Sequence, residues 1–92
     1  MFRKKPKFQP GELFVTNGVA EMIAGSNDFN HFVADSYARF LGGDWGDMCR
    51  EDKKQNQWSL LHNESLHGVY NYSSPRFYFH TKIDIRRYHA VI

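Results

Sequence analysis

Five histidines, one cysteine and a cluster of carboxylates are the side chains in this 92-residue chain whose types could carry chemistry. His62 and His67 stand five apart across a predicted loop, and His80 and His89 could meet across a hairpin. With no Cys-x-x-Cys and no His-Glu-x-x-His, they do not supply the three or four converging ligands of a zinc site. Asp44 and Asp47 flank Trp45, and Glu51 adjoins Asp52, so paired acid–base work is conceivable. Each acid also has a plainer role: Asp44 in a loop hydrogen bond, Asp47 as a helix cap, Glu51 on an outward helix position. Cys49 falls in the first turn of a predicted helix, where a thiolate is favoured. No histidine is near it in sequence, and a cysteine on an apolar stripe ordinarily packs. Gly42-Gly43-x-x-Gly46 echoes a phosphate loop but lacks the Lys-Ser/Thr that would make it one. The expectation is a binding protein rather than an enzyme, with no metal and no cofactor.

Charge gives that expectation a direction. The net charge is only +2, yet the cations gather at the two ends. Arg3, Lys4, Lys5 and Lys7 crowd the start with no acid among them, and Arg76, Lys82, Arg86 and Arg87 load the end against Asp84. The acids Asp28, Asp35, Asp44, Asp47, Glu51 and Asp52 lie between. If the two ends lie near each other, they form one basic face opposite a more acidic helical layer, and such a face attracts phosphates. The competing explanation is a solvated tail beside an edge strand that Lys and Arg guard against aggregation. Aromatics interleave the cations in Phe2 to Phe8, Arg76-Phe77-Tyr78 and Arg86-Arg87-Tyr88, a combination suited to phosphates and unpaired bases. Of the alternating sets Tyr78/His80/Lys82 and Phe77/Phe79/Ile83, the first is more polar and is assigned to the exposed face.

The elements that must position these residues follow from periodicity. A chain of this length buries only roughly 60–65% of its unfolded surface and forms one domain, residues 1–92. The 16% aromatic content enlarges its core. Residues 1–10, with Pro6 and Pro10, read as a basic extended arm. Glu12 to Val15 read as a short strand ending at a turn, Asn17-Gly18, and Val19 to Ala24 as a short helix stopped by Gly25. Ser26, Asn27 and Asp28 offer caps to an amphipathic helix with Phe29, Phe32, Val33, Tyr37, Phe40 and Leu41 on one face and His31, Asp35 and Arg39 on the other, ending at Gly42-Gly43. That aromatic stripe is read as core. A third helix is expected from Asp47, as cap, to about His62. Leu66–Tyr72, Arg76–Lys82 and Arg87–Ile92 alternate as strands, joined by Ser73-Ser74-Pro75 and by Ile83-Asp84-Ile85-Arg86. The predicted fold is α+β: an antiparallel sheet of three C-terminal strands plus a short N-terminal strand, with helices packed on one face.

Within this frame, residues 42–56 are the densest local pattern. Asp52 and Asn56 lie four apart, on the same side of the third helix as Trp45, Met48/Cys49 and Leu60. Both are expected to be buried and hydrogen-bonded to backbone of a neighbouring loop or strand. Asp44, Trp45, Asp47, Asp52 and Asn56 are therefore assigned to structure. Arg3, Lys4, Lys5, Lys7, Arg76, Tyr78, Lys82, Arg86 and Arg87 are assigned to a partner or nucleic acid. The lone cysteine suits a reducing cytoplasm, the basic N-terminus lacks the apolar run of a secretory signal, and no apolar run approaches a membrane span. The expected state is a cytoplasmic monomer that does not contact a membrane.

Gly43-Asp44-Trp45-Gly46-Asp47, Glu51-Asp52, Asn56, Val69-Tyr70 and the closing segment Phe79 to Ile92 around Asp84 resemble a family of short proteins carried by phages, plasmids and integrated mobile elements. Thr16-Asn17-Gly18-Val19-Ala20 adds a looser match, and together they span about three quarters of the chain. Most members of that family have no assigned function. Length, basic arm and mobile-element character also look like the small type I-F anti-CRISPR proteins of phages. That resemblance implies a partner, the crRNA-guided surveillance (Csy) complex with its Cas subunits and crRNA, in the host bacterial cell. It also implies an activity, blocking hybridisation of target DNA. Many relatives end in Thr-rich polar sequence where this chain has Arg86-Arg87-Tyr88-His89, so the basic face is a local departure. A stand-alone nucleic-acid-binding or regulatory protein, and an assembly protein using the same face, are the competing classes.

Overall fold

The computed structural model describes residue 8 and residues 11–73, 78–86 and 89–92, with the side chains of 73, 78–80, 82, 85 and 86 excepted. Seven elements follow in the order β1 (Glu12–Phe14), α1 (Asn17–Gly25), α2 (Asn27–Leu41), α3 (Arg50–His62), β2 (Leu66–Ser73), β3 (Tyr78–Arg86) and β4 (His89–Val91). The class is α+β, as the alternation of periods implies. No helix among the described residues is long and apolar enough to cross a membrane.

α2 organises the core. Ser26 is its cap, its hydroxyl accepting from the Phe29 N–H at 3.2 Å, and Asp28 in the first turn complements the positive end of the helix dipole. The face carrying Phe29, Val33 and Phe40 is buried against Leu66 and Tyr70 of β2, Ile83 of β3 and Ile92. Phe32 and Tyr37 line its margin, half-buried, and His31, Asp35 and Arg39 are exposed on the other side. α1 packs against α2, and α2 and α3 meet the sheet at β2, α2 also reaching β3.

The sheet order is β1-β4-β3-β2. β2–β3 and β3–β4 are antiparallel, but β1 runs parallel to β4, pairing Glu12 with His89, Leu13 with Ala90 and Phe14 with Val91. The sheet is thus mixed rather than purely antiparallel. The helices between β1 and β2 carry the chain across one face, and β1 arrives at the open edge of β4 pointing the same way. Two further bonds lengthen this seam, Ile92 N–H to Phe14 O at 3.0 Å and Thr16 N–H to Ile92 O at 2.7 Å.

Three local expectations are corrected. Asn17-Gly18 is the first turn of α1, not a free turn: Thr16 is held extended by Ile92, and its carbonyl already accepts from Ala20 N–H. Ile83-Asp84-Ile85-Arg86 continues β3 instead of turning. Ile83 is fully buried opposite Gly68, whose missing side chain leaves room for the Tyr70 and Phe40 rings, within 2.8 and 3.0 Å of where a Cβ would stand. α3 starts at Arg50 after an extended Cys49, with no side-chain cap, so Asp47 does not cap it. Of the proposed arm, residues 1–7, 9 and 10 lie outside the described residues. Phe8 is half-buried, set edge-on to Phe40 at 5.5 Å and stacked with Trp45 at 6.4 Å. Its ring belongs to the core margin and is not free for a base.

Candidate functional site

The segment Asp44–Asp47 is a cover for the outer edge of β2. An exposed strand edge presents every second residue's N–H and C=O to any chain that can pair with them. On β2 these residues include His67, Val69 and Asn71, and each of the three meets a partner from this segment or from α3. Val69 N–H donates to Trp45 O at 3.1 Å and Val69 O accepts from Asp47 N–H at 2.6 Å, a parallel bridge centred on Gly46. Asn71 N–H donates to the Asp47 carboxylate at 3.0 Å. Asn56, 1% exposed on α3, treats His67 as a strand would: its Nδ2 donates to His67 O at 2.5 Å and its Oδ1 accepts from His67 N–H at 3.4 Å.

Neighbouring contacts hold that cover in place. Tyr70, fully buried, donates its hydroxyl to Asp44 O at 2.6 Å. The Asp44 carboxylate accepts from Arg39 Nε at 2.8 Å and from Gly46 N–H at 3.0 Å. Arg39 lies over the Tyr70 ring at 5.0 Å. The guanidinium hydrogen bond is the main reason the Asp44 carboxyl sits below its ordinary range, while burial pushes the Tyr70 phenol above its own. Gly43 and Gly46 take φ of 85° and 83°, and at Gly46 a Cβ would stand 2.1 Å from Val69 O. Trp45, 3% exposed, fills the space beneath against Phe40. Nothing in this constellation places a nucleophile beside a base.

Asp52 departs from the expectation made for it. It is exposed in the first turn of α3, which begins two residues later than predicted, and only Asn56 reaches β2. Cys49 is likewise exposed rather than packed. Among the described residues no three His, Cys, Asp or Glu side chains come together as for a metal ion.

The predicted binding residues fall mostly outside what is described. Arg3, Lys4, Lys5, Lys7, Arg76 and Arg87 lie beyond the described residues, and for Tyr78, Lys82 and Arg86 the strand positions alone are described. Those positions are informative. Arg86 pairs with His89, which pairs with Glu12, so three strands come into register at one end of the sheet. With strands about 4.8 Å apart, the Arg86 and Glu12 backbones are separated by about 10 Å. Lys82 pairs with Val69, between the buried Thr81 and Ile83 in sequence.

Sequence reasoning passed over Trp58. It is 48% exposed on α3, with Leu61 80% exposed beside it. The signal was present: once Asn56 is placed inward, a 3.6-residue period puts Trp58 and Leu61 on the far side of the helix.

Among the described residues the geometry defines an α+β fold: three helices on a four-stranded mixed sheet, one edge of which is covered by a glycine-rich loop. No family model matches the chain, nor does any curated protein or solved structure.

Proposed function

We propose that this chain is a phage-encoded inhibitor of the type I-F crRNA-guided surveillance complex, acting as a stoichiometric plug in the cytoplasm of the host bacterium and without catalysis. The observation that carries the reading is the parallel pairing of β1 with β4. It brings the start of β1 to the start of β4, and through His89 to the end of β3, so the Glu12 and Arg86 positions share one end of the sheet. A surveillance complex exposes crRNA between basic protein subunits. An inhibitor can imitate DNA with acids or grip the RNA and its scaffold with cations. A chain of net charge +2 and isoelectric point about 8.8 suits the second mode. The resemblance of residues 43–56 to mobile-element proteins supports the setting, whereas the loop itself serves the fold.

The test is target-DNA binding by a purified type I-F complex at rising ratios of this protein. Inhibition should complete near one bound molecule per complex. The double variant Arg86→Glu/Arg87→Glu should weaken it strongly, since each lost phosphate contact becomes a repulsion. DNA binding that persists at saturating protein refutes occupancy. Salt-sensitive binding to free nucleic acid without inhibition would identify a stand-alone nucleic-acid-binding protein instead.

A further inference from the structure

On α3, the face turned away from β2 carries an aromatic pair that nothing else in the described structure covers. Trp58 and His62, one helical turn apart, stack with ring centroids 4.1 Å apart and planes within 14°. His62 Nδ1 lies 2.8 Å from Trp58 O, and since a carbonyl can only accept, Nδ1 is the donor in this contact. The stack is thus held before any ligand arrives, which lowers the ordering cost of binding. Towards the helix N-terminus the same face presents Lys54, one turn from Trp58, and Arg50, one turn further. Both are exposed and form no ion pair among the described residues. Glu51, seven residues before Trp58 and so only about 20° from it around the helix, lies on this same face and offsets part of their charge.

We infer that this face is a second binding surface, for a single strand of nucleic acid, with one unpaired base stacking on the free face of Trp58 and the preceding phosphates meeting Lys54 and Arg50. A flat, pre-ordered aromatic with two cations in line with it matches a strand whose bases and phosphates alternate. A purely apolar protein pocket would leave both cations unanswered. The inference goes beyond the inhibitor reading and does not depend on it, because it concerns a different face of the molecule and needs only free nucleic acid.

The experiment is a titration of the intact chain with an oligouridylate of about twelve nucleotides at low salt, following tryptophan emission. Trp45 is buried, so the quenching reports Trp58. Saturable quenching is expected, with Trp58→Ala lowering affinity measured by anisotropy roughly 5- to 150-fold and Trp58→Phe recovering part of the loss. Lys54→Ala should reduce the salt slope by about 0.7, and Glu51→Gln should raise affinity. Since Trp58 and Lys54 are surface positions, unchanged melting temperatures check that each variant folds. Equal affinity of Trp58→Ala and parent, equal quenching by duplex, or equal binding of poly-aspartate would each overturn the inference, the last pointing to an acidic protein. Arg86→Glu/Arg87→Glu should leave Trp58 quenching intact. Its abolition would assign all binding to the sheet end, sinking this proposal but not the inhibitor reading.

Discussion

Replacing Asn56 by alanine removes a side chain that completes the hydrogen bonding of a strand edge. Two bonds to His67 are lost, a short one to its carbonyl and a long one from its N–H, and no other described group stands ready to replace them. Leaving buried partners unpaired costs about 1–3 kcal/mol. His67 is only half-buried, so water can satisfy part of the deficit, and about 2 kcal/mol is the expected value. In a domain of this size that lowers the melting temperature by roughly 8–16 °C. Asp52→Ala, four residues away on the same helix, is the matched control. Asp52 is exposed, so its loss removes only a favourable charge at the helix start and should cost less than about 1 kcal/mol. Thermal and urea unfolding followed by circular dichroism reads both. Equal shifts for the two variants, or a larger one for Asp52→Ala, would refute the strand-edge role of Asn56.

Gly46→Ala should cost about 3 kcal/mol or more, because it combines a positive φ with a backbone clash at Val69 O; yield of folded protein and melting temperature check it. Tyr70→Phe should destabilise by about 1 kcal/mol at neutral pH through loss of its bond to Asp44 O. The same variant should flatten the alkaline limb of stability. Burial raises the Tyr70 pKa, so the unfolded chain ionises first, near pH 10. The stability present below that pH is then lost as pH climbs towards the folded value, and urea midpoints at neutral and alkaline pH would show a loss that Tyr70→Phe lacks. Arg39→Ala should move stability by no more than about 1 kcal/mol, since the Arg39–Asp44 pair is half-exposed on both sides. It should shift the acid limb only slightly, Asp44 contributing above its ordinary pKa and losing that contribution as pH falls through its lowered folded value.

Much of the helical layer was legible without a structure. The order of elements, the buried face of α2, its Ser26 cap and its glycine end all rest on interactions within one or two turns, which residue spacing encodes directly. Strand existence was legible for the same reason, through period-two alternation in the last third. The extent of β3 was not, because Ile83-Asp84-Ile85-Arg86 alternates equally well as a strand or as a connection carrying one charge. What decides it is pairing with β2, where Ile83 sits opposite Gly68 and is fully buried. Asp52 and Asn56 look equivalent by period. They differ because α3 begins at Arg50, which leaves the first over solvent and sets the second against β2.

The sequence by itself determined an α+β fold with cations gathered at the two ends of the chain and a glycine-rich turn ahead of the third helix, since composition and local period carry that information. Only the tertiary structure decided that β1 lies parallel to β4 and that Asp44–Asp47, with Asn56, seals the outer edge of β2. Both join segments from eleven to more than seventy residues apart, β1 to β4 and a loop and a helix to β2. Their partners are chosen by which edges remain open once the helices have packed, and no local propensity records that choice.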